Sequence, residues 1–268
     1  MNKHLTRIKT GLFLAVLAIV SVFYFPDVVF ATMCLLIVTA AFWEWLTLIH
    51  IKQWAYRMVL LVVFWALLWM LPNYLMLMLH VSLVWWCVAL LLLFFPKRHL
   101  TFLHNKILAL LIAFVVLVPT WVSVVTLHEH NRLVLFYLIM LVSFADTGAY
   151  FVGSRYGRHP LLPSVSPKKS FEGLLGGLVI GTLAGLLEVL FMPNLSWQQI
   201  LFWTLLSVVL ILLSVLGDLF ESLMKRVYDA KDSGSFLPGH GGVLDRLDSQ
   251  TPTLPIFLFL CLTLHLFY

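Results

Sequence analysis

The chain is short of charge. Of its 268 residues only 11% are Asp, Glu, Lys or Arg, against about a quarter in a soluble domain. Hydrophobic residues make up 62%, and the mean hydropathy is +1.01. So much apolar side chain excludes a soluble globular domain and a disordered chain alike. Cysteine is scarce too: Cys34, Cys87 and Cys261 lie far apart inside apolar runs, which excludes a secreted disulfide scaffold. What remains is an integral membrane protein. Lys and Arg (17) exceed Asp and Glu (12), a mild excess that suits anionic headgroups or phosphate ligands and that membrane topology also produces. No nucleic-acid partner is expected.

About 20 apolar residues cross the ~30 Å hydrocarbon core. On that scale the sequence predicts an all-α polytopic bundle of about nine transmembrane helices, near 9–25, 29–49, 55–71, 74–95, 107–127, 133–152, 173–191, 198–222 and 253–267. Pro26-Asp27, Pro72-Asn73, Pro96-Lys97 and Pro193-Asn194 punctuate the connections, and Pro255 stands near the start of the last span. The first run follows Lys3, Arg7 and Lys9 like a signal peptide, but no small-residue cleavage site follows it, so it is expected to be retained. With the N-terminus inside, sixteen of the seventeen basic residues fall on one side and only Arg132 on the other. This predicts a multi-pass protein, in a bacterial inner membrane, whose functional face looks to the cytoplasm. Residues 1–130 read as N-terminal membrane helices and 131–268 as the catalytic region, since the inside connections near 153–172 and 223–252 hold most of the Gly, Pro and paired charges.

Leading into the second of these, Asp218, Glu221, Ser222 and Lys225 share one face if the preceding helix continues. A solvated helix end with internal ion pairs is one reading. The other is functional, because Asp218 directly follows the apolar run 200–217, where a carboxylate is costly. Gly239, Gly241 and Gly242 surround His240 in a turn whose backbone amides can cradle phosphate oxygens, or simply flex. Asp245 and Asp248 follow at i and i+3, on one face of a helix starting near Gly242, and can hold one or two divalent cations. Mg²⁺ bound by one or two carboxylates plus substrate phosphates fits these oxygens. Zinc does not, since the cysteines are remote and only His240 is near. Arg246 between the acids can grip a phosphate bidentately.

The spacing Ser222-x-x-Lys225-Arg226-x4-Lys231-Asp232-x5-Pro238-Gly239-His240-Gly241-Gly242-x-x-Asp245-Arg246-x-Asp248 resembles the signature of the phosphatidate cytidylyltransferases, or CDP-diacylglycerol synthases. Asp146-Thr147-Gly148-Ala149-Tyr150-Phe151-Val152-Gly153 and Ser166-Pro167-Lys168-Lys169-Ser170-Phe171-Glu172-Gly173 resemble that family's central motifs. The resemblance covers roughly 140–250. It implies Mg²⁺-dependent condensation of CTP with phosphatidate, a lipid of the membrane itself, to CDP-diacylglycerol and pyrophosphate.

On that footing Asp218, Asp245 and Asp248, with Asp146, are the candidate metal ligands, and a second cation is allowed. Lys225, Arg226, Lys231 and Arg246 would take the triphosphate, with Ser222, His240, Gly241 and Gly242 beside them. Lys168 and Lys169 would hold the lipid phosphate next to a helix N-terminus capped by Ser166, with Pro167 at its first position. Asp146 also admits a plainer role, as a hydrogen-bonded acid joining helices.

Other features carry less. Gly173, Gly177, Gly181 and Gly185 repeat every four residues and read as a close-packing stripe. Glu44 is expected at the border of the cavity, Glu188 has no evident role, and His128 and His130 read as an outside loop rather than a metal site. A CTP-dependent polyprenol or phytol kinase, and a transporter with broken helices, are the rival readings. A homodimer is compatible with all of them.

Overall fold

The computed structural model describes residues 16–95, 100–190, 195–230, 233–234 and 241–266, with the side chain of residue 190 left aside. Helix α1 covers 16–24 of these. Then come α2 (Asp27–Leu48), α3 (Trp54–Met70), a 3-10 turn (Leu71–Tyr74) and α4 (Leu75–Leu93). A second 3-10 turn (Thr101–His104) leads to α5 (Lys106–His130) and α6 (Arg132–Tyr156). A hairpin of β1 (Pro160–Leu162) and β2 (Ser166–Ser170) precedes α7 (Phe171–Leu190) and α8 (Trp197–Val227). The short α9 (Leu244–Leu247) and α10 (Gln250–Thr263) close the described chain. The protein is an all-α polytopic membrane protein.

Six helices among the described residues are long and apolar enough to cross a bilayer, against nine spans read from hydropathy. The difference has three sources. Only 16–25 of the first span is described, the third and fourth spans form one 40-residue run, Trp54–Leu93, and α10 is only 14 residues long.

Helix limits follow local chemistry. Asn131 serves both α5 and α6: its backbone ends the first, and its Oδ1 accepts the N–H groups of Leu133 and Val134 at 3.0 and 3.3 Å to start the second. Ser196 and Gln199 form a reciprocal capping box at α8. That helix has 31 residues, about 46 Å at 1.5 Å per residue, longer than the hydrocarbon core. Its C-terminal turns therefore carry Asp218 to Lys225 towards the polar end.

α10 lies at the centre of the bundle. Every residue from Thr251 to Leu258 is buried, and the helix packs on α4, α5 and α8. α6 and α7 are joined along glycines: a Cβ at Gly148 would stand 2.8 Å from the Gly176 carbonyl, and one at Gly177 2.9 Å from the Ala145 carbonyl. The four-residue glycine repeat is thus a packing stripe.

Basic side chains mark both ends of α5. Lys106, at the start of α5, donates to the His50 carbonyl at 3.2 Å, and Arg57 donates to the Ile51 carbonyl at 2.6 Å. Arg132 lies at the far end of α5, where it binds Asp27 at 2.9 Å. There His128 is a buried residue of α5 rather than part of a loop. It stacks on Phe30 with ring centroids 3.8 Å apart, and its Nε2 lies 3.0 Å from the Val22 carbonyl. His130 is also in α5, its Nδ1 2.9 Å from the Thr126 carbonyl.

Candidate functional site

A cavity of about 540 Å³ opens where α6, the hairpin, α7, α8 and the α9–α10 link converge. Helical spacing puts Asp146, Ala149, Tyr150, Gly153 and Ser154 of α6 on its wall. Lys168, Lys169 and Ser170 come from β2, Gly173 and Leu174 from α7, and Val215 and Asp218 from α8. Asp245, Arg246, Asp248 and Ser249 complete it. Acids and bases separated by a hundred residues therefore share one wall.

The lysines reach this wall differently from the sequence reading. Ser166 does not cap a helix. Ser166–Ser170 is a strand paired antiparallel with Pro160–Leu162, and α7 starts only at Phe171. Pro167 is tolerated because a two-stranded hairpin is all edge. The capping function passes to Ser170, whose Oγ accepts the Gly173 N–H at 3.1 Å.

Glu172 fixes the base of the hairpin. Its Oε2 accepts the N–H groups of Arg158 and His159 at 3.0 and 3.2 Å, and its Oε1 lies 2.6 Å from His159 Nδ1. Glu172→Ala is expected to loosen the hairpin and lower kcat/KM on the order of tenfold through misplaced lysines. Thermal unfolding should stay close to wild type. Steady-state kinetics and a melting curve on the purified variant check both.

Lys169 forms an ion pair with Asp218 across the cavity. Asp218 in turn acts electrostatically on both Asp146 and Asp248, and the Ser249 side chain lies against Asp146. The Asp248 Oδ1 accepts the Ser249 N–H at 2.7 Å. Burial, and then the neighbouring Asp218 charge, push the Asp248 carboxyl up to about 7.

Asp245 has both oxygens engaged. Oδ1 lies 2.8 Å from Lys225 Nζ, and Oδ2 accepts the Gly242 N–H at 2.8 Å. Burial works to raise this carboxyl, but the Lys225 ammonium and the Gly242 amide outweigh it and hold it below the usual carboxylate value. Its bonds organise the turn, while it lines the cavity together with Asp146, Asp218 and Asp248.

Several expected binding residues lie off the wall. Lys225 sits behind it, between Asp245 and the buried Glu221, whose Oε1 is 3.5 Å away. Ser222 is half-buried away from the cavity, and Arg226 donates through Nε to the Val165 carbonyl at 3.3 Å, bracing the hairpin. The four residues expected along one face of α8 thus part company: Asp218 pairs with Lys169, while Glu221 pairs with Lys225.

The glycine turn also departs from expectation, because the Gly242 amide is bound by Asp245 instead of pointing outward. Gly241 takes a left-handed φ of +83° and lies off the wall. The helix bearing Asp245 is a single turn, with Asp248 immediately after it. Glu44 does not border the cavity; it is buried under this turn. Lys231 and His240 lie outside the described residues.

Among the described residues no cluster of three or more His, Cys, Asp or Glu stands ready to enclose a metal. The wall does present four carboxylates, Asp146, Asp218, Asp245 and Asp248, with neither thiol nor imidazole, a donor set for a hard, oxygen-seeking cation. Sequence reasoning had no access to Tyr150, Ser154 and Ser249 as wall residues. Helical spacing from Asp146 was the one signal that could have found the first two.

The architecture is that of a polytopic membrane protein with a charged cavity at one end of its helices, suited to phosphate ligands. Comparison with known proteins narrows this class. The sequence matches the cytidylyltransferase family over residues 5–264. It is 35% identical to the phosphatidate cytidylyltransferase of Haemophilus influenzae, over 94% of this chain and 96% of that one. It is 35% identical to the protein of the same name from Pseudomonas aeruginosa, over 94% of each chain. The Bacillus subtilis phosphatidate cytidylyltransferase is 39% identical over 52% of this chain and 51% of its own. The chain belongs to the cytidylyltransferase family.

Proposed function

We infer that the protein is a phosphatidate cytidylyltransferase, condensing CTP with phosphatidate to CDP-diacylglycerol and pyrophosphate for phospholipid synthesis. The observation that carries this reading is the cavity wall, where Lys168, Lys169 and Arg246 stand beside Asp146, Asp218 and Asp248 at the end of membrane helices. One substrate lives in the bilayer and the other in water, and this place meets both.

The phosphatidate phosphate is already an oxyanion, so no serine or cysteine nucleophile is required. One of its oxygens attacks the α-phosphorus of CTP. A new P–O bond forms, the bond to the β-phosphate breaks, and pyrophosphate leaves with the electron pair. Such transfers are accelerated mainly by positioning and charge neutralisation. Lys168 and Lys169 hold the lipid phosphate and Arg246 the triphosphate. Asp218 and Asp248, assisted by Asp146, would hold Mg²⁺, which supplies charge neutralisation of the phosphates when bound. Lys225 keeps Asp245, and through it the turn, in place. We place the cavity on the cytoplasmic side of a bacterial inner membrane, a reading supported by the gathering of Arg57 and Lys106 at one end and Arg132 at the other.

The test is the fate of label from CTP. With the purified protein and phosphatidate, α-³²P is expected in the lipid and γ-³²P in pyrophosphate. A lipid kinase would instead put γ-³²P in lipid and release CDP, and that result would overturn the assignment.

A further inference from the structure

The signature turn that carries Asp245 and Asp248 is held from an unexpected direction. Glu44 belongs to α2, two hundred residues earlier, and only 1% of its surface is accessible. Its Oε2 accepts the backbone N–H of Leu244 at 2.9 Å, at the first residue of α9, and Ser233 Oγ lies 3.5 Å from the same oxygen. A backbone N–H bound to a carboxylate makes a charge-assisted hydrogen bond, roughly twice as strong as a neutral one.

The chain is shaped around this carboxylate. Gly234 and Gly242 press on it from two sides: a Cβ at Gly242 would stand 2.5 Å from Oε2, and one at Gly234 would overlap Oε1. Two of the turn's amides are thereby bound to acids, Gly242 N–H to Asp245 and Leu244 N–H to Glu44. The mount is rigid, since the adjacent Trp45 is buried and donates its indole N–H to the Ala109 carbonyl at 3.0 Å.

We propose that Glu44 is a positioning residue for cytidylyl transfer: a buried carboxylate from the N-terminal helices that anchors the turn presenting Asp245 and Asp248 to the cavity. The first membrane helices are then part of the catalytic apparatus. The proposal rests on the cytidylyltransferase reading for its kinetic consequence but not for its structural one.

The experiment combines two readouts on purified Glu44→Ala, Glu44→Gln and Gly234→Ala. Hydrogen exchange of peptides spanning 241–250 should quicken in Glu44→Ala, while peptides from α5 keep their protection. In the same variant kcat should fall at least tenfold, with KM for phosphatidate within twofold of wild type, because the hairpin lysines do not touch Glu44. Glu44→Gln keeps a carbonyl acceptor of the same shape and should recover most of both effects. Gly234→Ala leaves Glu44 in the chain but crowds its carboxylate, and it should reproduce the fast exchange and low kcat. It also decides the matter if Glu44→Ala does not fold. Wild-type exchange at 241–250 in Glu44→Ala or, should that variant not fold, in Gly234→Ala would overturn the anchoring role. Fast exchange in a protein that makes no CDP-lipid even as wild type would instead overturn the reaction assigned to the site.

Discussion

Replacing Asp248 by asparagine is expected to lower kcat for CDP-diacylglycerol formation by about 10²–10³, the usual loss when one preorganised electrostatic group is removed from an active site. The substitution keeps the shape of the side chain and, through its carbonyl, an acceptor for the Ser249 N–H that Asp248 now binds at 2.7 Å. It removes the charge that faces Asp218 and Lys169 across the cavity. The fold should survive, and KM for phosphatidate should change little, since the lipid phosphate is assigned to the hairpin lysines. Initial rates over a range of Mg²⁺ concentrations check the assignment. A variant with near-normal rates and an unchanged Mg²⁺ dependence would remove Asp248 from the metal set.

The second large effect is steric and comes from a residue with no chemistry. Gly217 precedes Asp218 on α8 and faces the start of α10. A Cβ there would run into the backbone carbonyl of Asp248 and come within 2.7 and 2.9 Å of the Pro252 ring. Neither neighbour yields easily, because one is backbone and the other lies in the fully buried stretch Thr251–Leu258 of α10. Gly217→Val should therefore push Asp248 away from Asp218. Overpacking of this kind costs about 1–3 kcal/mol, and a displacement of about 1 Å at reacting groups costs about a hundredfold in rate. A lowered Tm together with a hundredfold or greater loss of kcat is expected. Full activity in Gly217→Val would mean that α8 and the Asp248 link need not approach so closely.

The parts of the site that were legible in the sequence are those in which cost and pattern coincide. Asp146 and Asp218 are charged residues after long apolar runs, and such residues demand a polar destination; both line the cavity. Lys168, Lys169, Arg246 and Asp248 were placed by motif, and they too reach the wall. What could not be read are relations between distant segments. Nothing near Glu44 indicates that its partner is the amide of Leu244, and nothing around Lys225 separates a phosphate ligand from a counter-ion held between Glu221 and Asp245. Ser166-Pro167 has the composition of a helix start, and only the pairing with Pro160–Leu162 makes it a strand. The number of spans is open to a similar ambiguity. A helix buried in protein, such as α10, and one facing lipid are equally apolar, so hydropathy gives them the same sign.

The most direct test of the central claim, that CTP is activated between the central and C-terminal motifs, is an experimental structure of the protein with Mg²⁺ and a CTP analogue whose α,β-bridging oxygen is replaced by methylene. Triphosphate density is expected in the cavity bounded by Lys169, Asp218, Arg246 and Asp248. Density for the triphosphate elsewhere in the protein, with this cavity occupied by solvent alone, would contradict it.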